Sequence, residues 1–142
     1  MSTTGEAMLN ALRDQLAAGV PAAAVKRNID LPDRIVGRMI IIRDGKAVPE
    51  EQLGADGPWY VSHRPEIEML VQVGDPAARD AAFASLAADV DAALSGDLTL
   101  GGLVYGMDWG DPQIDTERFP GTAGIKAAVL EPTVDYQSAT RL

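Results

Sequence analysis

Few side chains in this sequence could perform acid–base or nucleophilic chemistry. His63 is the only histidine, and the chain has no cysteine, which excludes a thiolate nucleophile and a cysteine-based zinc site. In a strand, the residues next to His63 point to the opposite face, so Ser62 cannot be its nucleophile. We therefore expect His63 to be a surface or rim residue, and we predict no Ser-His-Asp or Cys-His arrangement.

Two groups of carboxylates are the remaining candidates for chemistry. Four lie close together in one segment: Asp108, Asp111, Asp115 and Glu117. They could hold a hard cation, but their spacing lacks the alternating ligands and central glycine of a calcium loop. Glu66 and Glu68 share one face of a predicted strand, which could raise a pKa for acid–base work, but a polar outer face paired with Arg or Lys explains them more simply. We predict no catalytic, metal-binding or cofactor-binding residue.

The string Leu98-Thr-Leu-Gly-Gly-Leu-Val104 is the most distinctive in the chain. No Lys-Ser/Thr pair follows its glycines, so it is not a phosphate-binding loop, and it does not match a dinucleotide-binding fingerprint. Gly101 and Gly102 instead predict a tight turn between a helix and a strand, or a close approach by the backbone of a neighbouring subunit.

Length and charge limit the function further. The 142 residues, 46% hydrophobic but only 5% aromatic, fit one domain over residues 1–142 with a largely aliphatic core. The net charge of −9 is opposite in sign to that of proteins that bind nucleic acid by its phosphates. The N-terminal residues show no basic region followed by an apolar run. We therefore expect no signal peptide and a soluble protein that stays in a reducing cytoplasm.

Hydrophobic periodicity predicts two helices. Thr3 and Glu6 have the spacing of a capping box, and the pattern after them predicts a helix from about Thr4 to Ala18. Asp75 as the N-cap, with proline at the first helical position, predicts a second helix over Pro76–Leu94.

Strands are predicted around these helices. Their ranges are Ala22–Asn28, Arg38–Arg43, Trp59–Val73, Val104–Trp109 and Ile125–Tyr136. The turn dipeptide Asp44-Gly45 closes the second range, and residues 46–58, with two Pro and two Gly, predict an exposed, mobile loop. Pro65 cannot donate to a β-ladder, which predicts an edge position or a bulge. The element order predicts an α+β fold, with a mostly antiparallel sheet of four to five strands backed by two helices.

The succession of these elements resembles one family. An N-terminal helix and the segments RMIIIRDG, HRPEIEMLVQVGD, PAARDAAFASLAADVDAAL, LTLGGLV and IKAAVLEPTVDY follow one another as in the tail terminator (tail completion) proteins of long-tailed phages and gene transfer agents. The resemblance covers nearly the whole chain and rests on the pattern of elements together with the Asp97-Leu-Thr-Leu-Gly-Gly stretch.

The resemblance implies a structural virion protein of the tail and neck, made in the host cytoplasm, with no catalytic residue and no cofactor. Its subunits would form a homo-oligomeric ring, expected to be hexameric. The ring would cap the major tail tube protein, end tube polymerisation and join the tail to a neck, head-completion or connector protein. DNA would pass through the lumen without tight binding, because a repeated acidic subunit repels phosphate. No membrane partner is implied.

A ring needs a heterologous interface, in which one surface of a subunit meets a different surface of the next. The predicted interface residues lie in the basic stretch Lys26–Lys46 and in or beside two loops, Asp44–Pro58 and Gly110–Gly124. They are Arg34, Arg38, Arg43, Lys46, Glu50, Glu51, Trp59, Ile114 and Phe119. The basic residues are expected to meet the acidic C-terminal half of a neighbour.

Charge reversal at Arg43 and Lys46, or deletion within residues 47–57, is therefore expected to weaken association and leave the monomer folded. Two other interpretations of the chain stay open at this point. One is a small ligand-binding or isomerase-like α+β domain, which would need polar groups that converge in a pocket. The other is a different neck or baseplate subunit.

The second predicted helix yields a test of the buried face. Phe83, Leu86 and Val90 repeat every three or four residues and should face the sheet. Leu86→Asp would bury an unpaired charge and should prevent folding, at a cost of several kcal/mol. Circular dichroism and thermal melting of the purified variant check this. A soluble variant that melts with the wild type would mean that another face of the helix is buried.

Overall fold

A computed structural model of the chain describes residues 4–29, 37–114 and 124–141. Two helices, α1 (Thr4–Gly19) and α2 (Pro76–Ser95), accompany a seven-stranded sheet in this part of the chain. The strands are β1 (Ala24–Arg27), β2 (Arg38–Gln52), β3 (Trp59–Gln72), β4 (Gly106–Asp108), β5 (Gln113–Ile114), β6 (Ile125–Leu130) and β7 (Thr133–Ser138). The fold is α+β as predicted, but the sheet has more strands than the four to five expected.

The sheet is built around β3. On one side β3 pairs antiparallel with β2; on the other it pairs with β7 through Trp59–His63 and with β6 through Ile67–Gln72. β5 pairs with β6 and β4 with β7, both antiparallel, whereas β1 runs parallel to the first part of β2. The sheet thus divides into two halves, one with the order β1-β2-β3-β6-β5 and the other with the order β2-β3-β7-β4.

Side chains at both ends of α2 explain its bounds. The Asp75 carboxylate accepts a hydrogen bond from the backbone N–H of Ala78 at 2.8 Å, and proline follows it, so the predicted N-cap is confirmed. At the other end, Gln15 Nε2 of α1 donates to the carbonyl oxygens of Ala93 (2.9 Å) and Asp97 (3.0 Å). This side chain satisfies carbonyls that a helix end leaves without partners, and it links the two helices.

Both helices pack on the same face of the sheet. Their buried side chains are Met8, Leu9, Leu12 and Leu16 of α1, and Phe83, Leu86, Val90 and Leu94 of α2. They form one core with residues of β2, β3, β6 and β7. Burial of each large apolar side chain contributes about 1.5–3 kcal/mol before conformational entropy is subtracted, so this core holds the layers together. The prediction of a sheet backed by two helices is confirmed.

β2 continues through Asp44 and Gly45, where the sequence predicts a turn. Its register with β3 shifts between Arg43 and Lys46, which leaves two β2 residues opposite the single residue Pro65. This arrangement is a β-bulge. Gly45 has a φ of 63°, which glycine adopts without strain. The extra residue bends the strand instead of ending it.

The prediction of an exposed, mobile loop over residues 46–58 is wrong for residues 46–52. Residues 46–52 belong to β2 and pair with β3, except Glu50 at a second register shift, and only residues 53–58 connect the two strands. Exposed charges and two prolines predicted a loop because they are unfavourable in the middle of a sheet. This part of β2 has only one paired neighbour among the described strands, and an edge strand tolerates such residues.

Pro65 lies where the pairing of β3 is interrupted on both sides. One side faces the bulge, and the other lies between the parts of β3 that pair with β7 and with β6. A residue without an N–H fits there because the ladder has no partner for it. The predicted bulge is therefore confirmed. The strand predicted over Ile125–Tyr136 is instead two strands, because Glu131 and Pro132 separate β6 from β7.

Among the described residues, neither helix combines the length and the apolar character needed to span a membrane.

The bulge yields a stability prediction. A Cβ added at Gly45 would overlap the carbonyl oxygen of Arg64, and the positive φ would strain any other residue. We expect Gly45→Ala to destabilise the fold by about 2–4 kcal/mol, measured by urea denaturation. Gly74→Ala is the matched control, because its Cβ would meet open space. Equal stability of the two variants would show that the bulge accommodates a side chain.

Candidate assembly surface

His63 is buried, and the expectation that it lies at the surface or rim is wrong; it is only 5% exposed. Its Nδ1 lies 2.9 Å from Tyr136 Oη, and its Nε2 is hydrogen-bonded to the Asp44 carbonyl oxygen. A carbonyl can only accept, so Nε2 carries a proton, and in the neutral ring Nδ1 accepts from the tyrosine hydroxyl. Burial raises the pKa of Tyr136, which keeps this hydroxyl protonated. With both ring nitrogens bonded, His63 joins β3 and β7 to the bulge.

Arg27 joins α1, β1 and the bulge. Its guanidinium contacts both carboxylate oxygens of Glu6, at 2.6 and 2.7 Å, and the Asp44 carboxylate at 2.9 Å. Asn28 Nδ2 donates to the same Asp44 carboxylate at 2.7 Å. Burial alone would raise the pKa of Asp44, but the hydrogen bonds from Asn28 and Arg27 outweigh it and lower that pKa. This charged cluster fixes the backbone of the bulge from outside.

Glu66 and Glu68 do not form a pair of carboxylates for acid–base work. Glu68 is 1% exposed and forms an ion pair with Arg43 at 3.1 Å, whereas Glu66 is half-buried. A buried carboxylate is costly without such a cation. Three apolar side chains are also buried on this face, opposite the helices: Ile41, Leu70 and Ala127. Both faces are therefore closed to solvent in this part of the sheet.

The second half of the sheet has a face open to solvent, which we call the open half-sheet. It consists of the face opposite the helices in residues 46–52 of β2, residues 59–64 of β3, β7 and β4. Neither α1 nor α2 covers it, because both pack on the other face.

Strand pairing shows which side chains lie on the open half-sheet. Val134 is buried in the helix-side core, so its neighbour Asp135 points to the open face. Pairing then places four residues in one row across the strands: Val48, Ser62, Asp135 and Gly106. Lys46, Arg64 and Asp108 each lie two residues from a member of this row on the same strand, so they share this face. Along this second row, the open half-sheet is basic towards β2 and acidic towards β4.

Two tyrosines add apolar surface to the open half-sheet. The rings of Tyr60 and Tyr105 stack with centroids 5.8 Å apart, and Tyr105 Oη donates to Gln137 Oε1 at 2.8 Å. Tyr105 is nonetheless 57% exposed, and Val48 on β2 is 38% exposed. Exposed tyrosine beside aliphatic and polar side chains is typical of a protein contact surface.

The open half-sheet ends in two free edges. No described strand pairs with the outer edge of residues 46–52, because β1 pairs only with Met39–Ile42 of β2. At the opposite end, β4 pairs with β7 and with no other described strand. Free edges expose backbone groups that can pair with another chain. Pro49 and the charges of Lys46 and Glu50 make the β2 edge selective, because they disfavour indiscriminate pairing.

The turn that leads from α2 to β4 is fixed by Asp97. Its carboxylate accepts hydrogen bonds from the Thr99 hydroxyl (2.8 Å) and from the backbone N–H groups of Thr99 (3.0 Å) and Gly101 (2.7 Å). The bond from the Thr99 hydroxyl, followed by those from the backbone, lowers the pKa of Asp97. Gly101 and Gly102 have φ values of 73° and 88°, so the predicted tight turn is confirmed. The turn holds Leu98 and Leu103 in exposed positions.

Five of the predicted interface residues either lie outside the described residues or already contact other side chains of the same subunit. Arg34 and Phe119 lie outside the described residues. The other three are Arg38, paired with Asp89 at 3.6 Å, Arg43, paired with Glu68, and Trp59, which packs against the core under the guanidinium of Arg141. Reversal of charge at Arg43 would put two negative charges together in a buried site. The expectation that the monomer stays folded therefore does not hold for Arg43, nor for deletions that remove paired residues of β2.

The remaining four predicted interface residues are exposed: Lys46, Glu50, Glu51 and Ile114. Lys46 lies on the open half-sheet, whereas Ile114 lies on β5 in the other half. Tyr105 and Asp108 were not predicted as interface residues. The segment Lys46-Ala-Val-Pro-Glu50 shows no period-two alternation of polar and apolar residues, so the sequence carried no clear signal for this strand and its edge.

Within residues 4–29, 37–114 and 124–141, no group of three or more side chains is arranged to hold a metal ion. Asp115 and Glu117 of the acidic segment lie outside these ranges. Comparison of the chain with models of protein families found no match, and comparison with curated proteins found no similar sequence.

The Asp97 turn yields a prediction with a pH dependence. The folded-state pKa of Asp97 lies below its ordinary value of 3.8, so its contribution to stability is complete above that pH and is lost as the pH falls through the folded-state pKa. We expect Asp97→Ala to lower the melting temperature at neutral pH, and the difference from the wild type to shrink towards about pH 2.

Thermal melts across this pH range provide the measurement. Asp56→Ala is the control, because Asp56 is exposed and makes no hydrogen bond or ion pair in the described part of the chain. A difference that stays constant as the pH falls would show that the charge of Asp97 does not hold the turn.

Proposed function

We propose that this protein is a structural subunit of a phage-type tail, and that its copies form a ring at the end of the tail tube. The ring, expected to be hexameric, caps the major tail tube protein, ends tube polymerisation and joins the tail to a neck or connector protein. The observation that carries the proposal is the open half-sheet with a free edge at each end. The position at the tube end rests on the resemblance of the sequence to tail terminator proteins.

The two free edges support head-to-tail association. They differ in sequence and length, since one is formed by residues 46–52 and the other by Gly106–Asp108. Contact between unlike surfaces is heterologous, and repetition of such a contact closes into a ring when its rotation divides a full turn. A two-fold dimer would need one of these edges to pair with itself, and at the β2 edge Pro49 cannot donate a backbone hydrogen bond to such a ladder.

The net charge of −9 supports a lumen through which DNA slides. Repetition of an acidic subunit around a pore repels phosphate, and we expect no tight binding of duplex DNA at physiological salt. The acidic end of the open half-sheet, with Asp108, Glu131 and Asp135 around one cleft, contributes to this repulsion.

A small ligand-binding domain is the alternative that one cavity favours. A space of about 260 Å³ lies beside His63 and is also lined by Glu6, Tyr136 and Arg141. Both nitrogens of the histidine are already bonded, and Glu6 is held by Arg27. The cavity therefore offers few unengaged polar groups to orient a ligand. A different neck or baseplate subunit would use the same free edges, and its location in the particle would distinguish it.

Assembly of the purified protein tests the proposed function. Sedimentation velocity and negative-stain imaging should show closed rings, alone or on the ends of tubes of the major tail tube protein. Val48→Glu adds a negative charge at the β2 edge and should abolish the rings without change in the melting temperature. Ala81→Glu adds the same charge on the exposed surface of α2 and should leave them intact. Rings that form equally well from both variants, or wild-type protein that neither assembles nor caps tubes, would contradict the proposal.

A further inference from the structure

The strand directions of the open half-sheet determine how a second copy can continue it. Within β2-β3-β7-β4 every pair is antiparallel, so β4 runs opposite to β2. A second copy displaced sideways in the same orientation therefore presents its β2 edge antiparallel to β4, with its open face on the same side. Antiparallel pairing is also slightly more stable per residue than parallel pairing.

Charge then selects the register between the two edges. On the open face, the β4 edge carries Asp108 and Gly106, and the β2 edge carries Lys46, Val48 and, beyond a second register shift at Glu50, Glu51 opposite Tyr60. When Lys46 faces Asp108, the antiparallel register places Val48 beside Gly106 and keeps Glu51 away from the aspartate. When the register slips so that Glu51 faces Asp108, two carboxylates meet, and like charges directly opposite each other are unfavourable.

The charges on these edges are available for such a contact. Lys46 stands opposite Arg64 in the β2–β3 pair, and neither cation makes an ion pair in the described part of the chain. Two cations side by side on one face repel each other unless an anion lies near them. Asp108 accepts only the backbone N–H of Trp109 among the described residues. Beside it, Glu131 and Asp135 line the same cleft. One subunit thus carries an unpaired lysine on one edge and an aspartate on the other, at opposite ends of one face.

We propose that the occupant of each free edge is a second copy of this chain, with β4 of one subunit paired antiparallel to residues 46–48 of the next and Lys46 facing Asp108. This inference rests on the proposed function for the closure of the ring, but it specifies the contact itself. The opposite charges fix the register and suppress wrong pairings, and the short length of β4 keeps the contact small. Val48 packs beside Gly106, where the absence of a side chain leaves room for it.

Engineered cysteines test the contact directly, because the natural chain contains none. Val48→Cys and Gly106→Cys are made in separate full-length chains. Neither position has a positive φ, and both face the solvent side of the sheet. Directly opposed residues of an antiparallel pair have Cα atoms about 4.5–5.5 Å apart, within the range that a disulfide needs. The mixture of the two chains is oxidised in air with copper–phenanthroline and separated on a non-reducing gel.

We expect a covalent dimer from the mixture and none from either chain alone. We also expect a chain that carries both cysteines to form a ladder that stops at the subunit number of the ring. A mixture of Val48→Cys with Gly74→Cys is the control, because Gly74 is equally open but belongs to neither edge. Absence of a dimer above this control would overturn the contact.

Charge exchange provides the second readout. Lys46→Glu and Asp108→Lys should each weaken self-association by about tenfold or more, and the double variant should recover most of the loss, because it restores opposite charges across the contact. Single variants that associate like the wild type would overturn the register. The proposed function and the proposed contact can fail separately. A ladder without closed rings refutes the ring and keeps the contact. Rings without the disulfide refute the contact and keep the ring.

Discussion

The bulge at Asp44 and Gly45 is the constraint on which the rest of the structure depends. It inserts one extra residue into β2 opposite Pro65, at the position where the partner of β3 on its other side changes from β7 to β6. Three separate groups hold it. Arg27 binds the Asp44 carboxylate, His63 donates to the Asp44 carbonyl, and Gly45 packs against the backbone of Arg64. The bulge thus links α1, β1, β3 and β7 as well as its own strand.

The two halves of the sheet differ in how their faces are covered on either side of this bulge. On one side of it, both faces of the sheet are covered, and a buried ion pair between Arg43 and Glu68 lies on the face opposite the helices. On the other side, only the helix face is covered. β1 ends at Arg27, opposite Ile42, and this leaves the outer edge of residues 46–52 without a described partner. We interpret the first half as the part that stabilises the fold and the second half as the part that assembles.

The helices and the core were predictable from the sequence because local signals coincide there. The capping residue Asp75 and the apolar repeat of α2 predict the same helix, and period-two alternation in β3 predicts its buried face. The continuation of β2 was not predictable, since its pairing with β3 overrides the turn signal of Asp44-Gly45. The wrong prediction for His63 has the same origin, because the continued strand and its bulge bring the Asp44 carbonyl oxygen within hydrogen-bond distance of His63 Nε2.

The candidate surface was predictable only in part. Lys46 was identified from charge alone. Arg38 and Arg43 were chosen in the same way but form ion pairs inside the subunit. The sequence does not show whether the partner of a charged residue lies in the same chain or in another. Asp108 was assigned to a solvated acidic loop, because only strand pairing shows that β4 forms the second edge. The open half-sheet is a tertiary feature: it arises from four strands that are distant in sequence.

The central claim is that assembly proceeds through the two edges of the open half-sheet. Hydrogen–deuterium exchange of the unmodified protein tests it most directly, with dilute monomer compared with assembled rings. The account predicts slower exchange on assembly for the amides of residues 46–48 and 106–108, with little change for residues 39–42, which are already paired on both sides by β1 and β3. Unchanged exchange at both edges, with protection instead on the outer surfaces of α1 and α2, would contradict it.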